Sequence, residues 1–326
     1  MNTENSNGVR AVQTGSAPTS DLTAEQVKRL ARELGADLCG LGAISAFRDE
    51  PAQRNPLQIL PRASCVIGFG FRVPKALYET MHRGKQYYNY TMMGVKYIDE
   101  QFVEMFLLRM AALIENAGYD ACVQRNTSNI RIQGDKTQNP ELYDTYELKY
   151  ASAVAPGKPV PDVILDFPKA ARACGLGSIS LKGNVLTKQF GPYVRFAFLI
   201  TDAPLACDEP FKEDLCDGCG ECMKACPGHA ITTDGLDSWT CSVYYRGACK
   251  DDPYMTEGVL ADNPERDDIV NGRKRFDAES ARAIYPALDF LPHRINGYVG
   301  CLCGKACDYA CYHHLERSGK LCGKKN

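Results

Sequence analysis

The chain has 326 residues, 44% apolar and 24% charged, with a formal net charge of -2. That length accommodates two domains, the composition is that of a soluble globular chain, and the near-neutral charge offers no long-range attraction for nucleic acid. No apolar run reaches the roughly 18–20 residues of a membrane span, so no membrane span is expected.

Residues 1–20 are rich in Asn, Thr, Ser and Gly, with no apolar h-region and no twin arginine. They read as a disordered tail rather than an export signal, which points to the cytoplasm. Thr23 and Gln26 have capping-box spacing before an apolar period of Val27, Leu30, Ala31 and Leu34, closed by Gly35. Leu38–Ile44 and Ser64–Val73 read as strands, the second more buried, and Tyr87, Tyr88 and Tyr90 follow in a polar stretch. Residues 97–116 predict the longest helix, with Phe102, Met105, Phe106, Met110, Leu113 and Ile114 as its core-facing stripe and Gly118 after its end. Tyr119–Gln124 predicts a strand. Residues 125–160 are irregular and proline-bearing, the pattern of a functional loop.

Residues 167–175 read as a short helix with a glycine stop at Gly175, and a glycine-rich turn runs from there to Asn184. Lys182 precedes its glycine, the reverse of a phosphate loop, and Gly175-Leu-Gly177 lacks the third glycine of a dinucleotide fingerprint. Val194–Asp202 alternates as a strand, and residues 204–213 lead into a cysteine-rich half. Residues 251–275 lack periodicity, and Asp277 caps a predicted helix with Pro286 near its end.

The chemistry is concentrated in the cysteines, 16 in all. Cys216-Asp-Gly-Cys219-Gly-Glu-Cys222-Met-Lys-Ala-Cys226-Pro227 is the C-x2-C-x2-C-x3-C-P run of bacterial ferredoxins. Its first three thiolates wrap one 4Fe–4S cluster while the fourth turns to a second cluster. Zinc is the competing reading, but its structural sites use two short hooks and four ligands, fewer than are crowded here. The second set is Cys301-Leu-Cys303-Gly-Lys-Ala-Cys307-Asp-Tyr-Ala-Cys311, with Cys241 between the two. We assign Cys216, Cys219, Cys222 and Cys311 to one cluster. The other takes Cys226, Cys241, Cys303 and Cys307, with Cys301 as the alternative to Cys303. Cys207, Cys249 and Cys322 are left as free thiols, and Cys39, Cys65, Cys122 and Cys174 as apolar packing. His313 and His314 read as surface residues.

Beyond the cysteines, several stretches resemble the cobalamin-dependent, two-cluster iron–sulfur reductases, the family of reductive dehalogenases and epoxyqueuosine reductases. They are Lys169-Ala-Ala-Arg-Ala-Cys-Gly-Leu-Gly177, Gly183-Asn-Val-Leu-Thr187, Phe190-Gly-Pro192, Val194-Arg195, residues 199–205, Trp239-Thr-Cys241-Ser and Tyr298-Val-Gly-Cys301. The resemblance is specific from residue 167 onward. It implies an α+β protein with a nitroreductase-like, corrinoid-binding α/β domain over residues 21–206. A ferredoxin-like domain with two 4Fe–4S clusters would follow over residues 207–326, with an irregular insertion at about 251–295. By position, Gly175, Gly177, Gly183 and Tyr193 would contact the corrinoid. The chain departs from the family at Leu181, where many members are basic. It departs again where the epoxyqueuosine reductases place a proton-donating Asp, a count that lands on Pro161 beside Asp162.

The resulting expectation is a cytoplasmic reductase of the reductive-dehalogenase type, with two clusters reducing a corrinoid to Co(I) for chemistry on a small electrophile. An external ferredoxin- or flavodoxin-type donor would supply electrons. Proton-donor candidates are Tyr87, Tyr88, Tyr90, Tyr143, Tyr146, Tyr150 and Asp162. One rival is an electron-transfer protein that reduces a corrinoid on a partner, and a weaker one is action on tRNA; a nucleic-acid partner is not expected.

Overall fold

The computed structural model describes residues 22–126, 158, 162–289, 294–295 and 298–322. Helix α1 (Ala24–Glu33) begins at the Thr23–Gln26 capping box, and Gly35 leaves it with φ +105°. The first half is built on a four-stranded sheet, ordered β1 (Leu38–Ala43), β2 (Cys65–Arg72), β6 (Val194–Thr201), β3 (Ala121–Gln124), antiparallel at every pairing. Because side chains alternate across a strand, β2 and β6 divide their residues between two cores. Cys65, Ile67, Phe69, Phe71, Ala197 and Leu199 face α1 and α4 (Val103–Asn116). Val66, Phe196, Phe198 and Ile200 face α5 (Phe167–Ala173).

On that second face β1 and β2 carry Gly40, Gly42 and Gly68. A Cβ on Gly40 would lie 2.0 Å from the Cys174 carbonyl oxygen, and one on Gly68 would lie 2.8 Å from Leu176 Cδ1. The glycines remove side chains where the end of α5 rests directly on the sheet.

The long helix differs from its expectation. After α2 (Lys75–His82), helical backbone starts with α3 (Tyr87–Asn89), runs as π-helix over Tyr90–Lys96 and Ile98–Phe102, and becomes regular in α4. The i→i+5 hydrogen bonds of a π-helix widen each turn and spoil a 3.6-residue count. The buried face of α4 is Val103, Phe106, Leu107, Met110, Ala111 and Ile114, whereas Phe102 and Met105 are exposed.

Beyond α5, β4 (Ser178–Ile179) and β5 (Val185–Leu186) form a small hairpin. Residues 205–211 then run along the outer side of β1. Asp208 donates its N–H to the Leu41 carbonyl at 2.8 Å and accepts the Leu41 N–H on its carboxylate at 2.9 Å. This covers an otherwise open sheet edge.

The second half contains α6 (Glu221–Ala225), a hairpin of β7 (Ile231–Thr232) and β8 (Gly235–Leu236), α7 (Ser238–Tyr245), α8 (Arg266–Val270), α9 (Ala278–Leu288), a hairpin of β9 (Arg294–Ile295) and β10 (Tyr298–Val299), and α10 (Ala306–Arg317). Asp277 caps α9. The expected irregular insertion is folded within its described residues: Leu260, Ile269, Ala281, Ile284 and Leu288 share a core with Trp239, Val243 and Tyr244. The two halves share a further core, in which Val73, Tyr78, Tyr90 and Tyr193 pack with Cys301, Tyr309 and Tyr312. The first 20 residues lie outside the described part. No helix among the described residues is long and apolar enough to cross a membrane.

Candidate metal centres and the cavity beside them

Cys216 and Cys219 lie on a loop and Cys222 in the first turn of α6, and the two-residue steps with the positive φ of Gly218 and Gly220 curl the backbone so that all three line one cavity. Helix α10 packs on α6 and brings Cys311 to the same cavity. A second cavity, of about 140 Å³, is lined by Cys226, Cys241, Cys303 and Cys307. Cys226 belongs to the first run in sequence but to the second cavity in space.

The donor chemistry fits iron–sulfur clusters. Each cavity has four soft thiol donors, and N–H groups point at the sulfurs: Leu181 N–H toward Cys216 at 3.5 Å and Ala230 N–H toward Cys226 at 3.3 Å. Burial pushes the Cys241 and Cys311 thiols up to about 12 and Cys307 to about 11. A thiolate at such depth requires cationic charge beside it, which bound metal supplies.

Cys301 does not line the second cavity. It is fully buried against the first half, with its Sγ 3.9 Å from that of Cys303 and its N–H bound to Thr91 Oγ1 at 3.1 Å. Cys207 and Cys322 are exposed and Cys249 is buried. Cys65 and Cys174 are core residues, and Cys39 and Cys122 are partly buried against the same cores. His314 is more than a surface residue. Its Nε2 lies 2.9 Å from Asp217 Oδ2, beside Cys219. His314 and Lys320 together hold the Asp217 carboxyl below the usual carboxylate range.

Beside the second cavity is another of about 180 Å³, lined from the first half by Tyr78, Tyr90, Phe167, Arg195 and Phe196 and from the second by Lys305 and Asp308. Of the described tyrosine candidates, Tyr90 reaches it; Tyr87 and Tyr88 are not among its lining residues. Burial raises the Tyr90 hydroxyl above the usual tyrosine range, so it is a neutral phenol that can donate a proton. Arg195 is held by Asp99, with Nε 3.1 Å from Oδ1 and a second contact between the other ends of the two groups. Asp162 is exposed, and Tyr143, Tyr146 and Tyr150 lie outside the described residues.

The positions matched to corrinoid contacts are dispersed. Gly175 and Gly177 make room for the chain's own backbone, at Glu209 O and Leu186 O. Gly183 tips the β4–β5 hairpin with φ +83° and nothing near its Cβ position. Tyr193 is 1% exposed, its ring stacked 3.7 Å from Tyr78 and 4.4 Å from Tyr312. Sequence reasoning missed Tyr78, Lys182, Lys305 and Asp308 as site residues. The only available signal was position: Lys182 in the glycine turn, Lys305 and Asp308 among the cysteines.

A 4Fe-4S binding domain model matches residues 209–232. The chain is similar to epoxyqueuosine reductase of Leadbetterella byssophila, 36% identical over 81 residues, 25% of this chain and 26% of the relative. It is also similar to tetrachloroethene reductive dehalogenase of Dehalobacter restrictus, 40% identical over 74 residues, 22% of this chain and 13% of the relative. The matched stretches thus span well under two thirds of either relative. A solved reductive dehalogenase structure covers 89% of this chain and 41% of its own, at 19% identity and a TM-score of 0.46.

Proposed function

We propose that this protein is a corrinoid-dependent reductase. Two 4Fe–4S clusters would be held by Cys216, Cys219, Cys222 and Cys311, and by Cys226, Cys241, Cys303 and Cys307. The observation that carries this reading is the pooling of two four-thiol groups from interleaved sequence, the second beside a cavity lined with tyrosine, arginine and lysine. When bound, the clusters supply one-electron transfer and the corrinoid supplies a strongly reducing cobalt. The first half would then be the nitroreductase-like domain of residues 21–206 and the second the ferredoxin-like domain of residues 207–326.

The chain's own residues have separable tasks. Cys219 is exposed and Cys226 buried, so the first thiol group would hold the cluster that faces an external ferredoxin- or flavodoxin-type donor, and the second the cluster nearer the cavity. The Tyr90 phenol is placed to deliver a proton into the cavity. Arg195 and Lys305 orient a substrate with an electron-rich leaving group or an anionic substituent. The relatives' names give two substrate classes, a halogenated small molecule and an epoxyqueuosine, and the charge argument against nucleic acid does not decide between them.

The second reading, an electron-transfer protein that reduces a corrinoid on a partner, draws on the cavity volume. At about 180 Å³ it is below the roughly 300–1,000 Å³ of a drug-sized site, so the described residues enclose no more than one edge of a macrocycle. Anaerobic reconstitution with iron, sulfide and cobalamin separates the readings. About eight iron with stoichiometric cobalt retained through gel filtration supports the reductase. Eight iron without cobalt supports the carrier. Substrate assays would use a chlorinated alkene and an epoxyqueuosine-bearing tRNA stem loop, with Tyr90→Phe expected to lower turnover while keeping both metals.

A further inference from the structure

Lys182 comes from the first half of the chain but lies between the two thiol groups. It sits at the tip of the β4–β5 hairpin, where Gly183 N–H closes onto the Ser180 carbonyl at 2.9 Å and the Ser180 N–H onto Asn184 at 2.8 Å. Its side chain lines both cavities, the one around Cys216, Cys219, Cys222 and Cys311 and the one around Cys226, Cys241, Cys303 and Cys307. Its Nζ is 3.5 Å from Cys307 Sγ and touches the Asp308 carboxylate. The residue before it, Leu181, turns its N–H toward Cys216 Sγ of the other group at 3.5 Å. The lysine side chain is 8% exposed and that of Asp308 6%. Asp308 is held in addition by Asn184 Nδ2 at 3.3 Å and Lys305 Nζ at 3.6 Å.

We infer that Lys182 is an electrostatic bridge between the two iron–sulfur centres, a positioning residue that sets the potentials of both. The inference rests on the cluster reading above. Each centre with its four thiolates is anionic and becomes more so on reduction, so two of them side by side oppose each other's reduction. Net charge and hydrogen bonds to sulfur are the protein's principal means of setting such potentials. A buried ammonium shared by both centres favours the reduced state of each, because little water screens it. Thiolates of both centres as well as the Asp308 carboxylate surround the ammonium, so its charge does not depend on Asp308 alone. Asp308 also moderates the effect, since it neutralises part of the charge the sulfurs would feel.

The sign of the shifts provides the test. Wild type, Lys182→Met, Lys182→Arg and Asp308→Asn are reconstituted anaerobically, iron and sulfide are counted, and each centre is titrated by EPR. If the wild type takes up no clusters, the cluster reading fails and this inference with it. With both clusters present, Lys182→Met should lower the reduced-to-oxidised ratio of both centres at fixed potential at least tenfold, 59 mV for one electron. Lys182→Arg should restore most of it, and Asp308→Asn should raise both ratios. Unchanged potentials in Lys182→Met, or a shift in only one centre, overturns the inference. Should Lys182→Met fail to hold iron, Asp308→Asn decides: upward shifts in both centres support the bridge, and any other result overturns it.

Discussion

The Asp99 carboxylate grips the Arg195 guanidinium at two points, joining the π-helical segment Ile98–Phe102 to strand β6 at the wall of the tyrosine-lined cavity. Asp99 is 5% exposed, so removing its partner strands a carboxylate away from water. Arg195→Leu should destabilise the first half by about 3 kcal/mol, at the low end for a broken buried pair. The double variant Asp99→Leu/Arg195→Leu should recover a large part of that loss. Anaerobic urea denaturation of the three variants measures the coupling.

Gly40→Ala tests the contact between α5 and the sheet. The new methyl would meet a backbone oxygen, Cys174 O, at 2.0 Å, and a backbone atom has no rotamer with which to retreat. We expect a loss at or above the upper end of the roughly 1–3 kcal/mol typical of overpacking. Gly183→Ala is the contrast, with nothing near its Cβ position and φ +83°. It should cost only about 1–2 kcal/mol, from left-handed backbone. The two denaturation midpoints should separate accordingly.

Removing one thiol from the first group should cost one centre. Cys311→Ser is expected to reduce iron from about eight to about four per chain and to abolish one of two EPR signals. Cys322→Ser, at an exposed position, should leave both. Chelation of iron should unfold the second half first, since its interleaved segments meet through the metal sites. Circular dichroism during chelation follows this directly.

Asp252 supplies a pH dependence. It is 5% exposed, one carboxylate oxygen accepts the Tyr254 N–H at 2.8 Å, and the other is buried without a partner. Burial raises its pKa from 3.8 to about 7, with Tyr87, Tyr88 and Cys249 facing it. The folded state therefore holds a proton that the unfolded state releases. Its contribution to stability is full below about pH 4, declines as pH rises, and is gone above about pH 7. We expect on the order of 2 kcal/mol across that window, after allowance for solvent screening. Asp252→Asn should flatten that part of the stability profile measured by urea denaturation from pH 4 to 8.

Much of the first half was legible in sequence because its signals are local. The Thr23 capping box, the glycine stop at Gly35, the buried strand β2, the alternation in β6 and, in the second half, the Asp277 cap each depend on residues within a few positions. The long helix was legible in extent near its end but not in face. Phe102, at the end of the π-helical run, and Met105 are exposed, and no 3.6-residue pattern anticipates the i→i+5 hydrogen bonds that precede α4. The site was legible where spacing is chemistry, in Cys216, Cys219 and Cys222. It was obscure where chemistry depends on packing. Tyr193, matched by position to a ligand contact, lies inside a stack of three tyrosine rings drawn from three distant segments.

By itself, then, the sequence determined that a cysteine loop of ferredoxin type exists and that the strands and capped helices around it form. Those features follow from backbone geometry over short separations. The cysteine spacing had already suggested grouping Cys311 with the first loop and Cys226 with Cys241, Cys303 and Cys307. Only the tertiary structure decided which other distant groups share a space: Tyr90 with Arg195 and Lys305, and Lys182 between the thiol groups. The reason is that a side chain's reach along the chain is a few residues. Electrostatic and metal-binding environments are made by whatever packing brings within a few ångströms, whatever the separation in sequence.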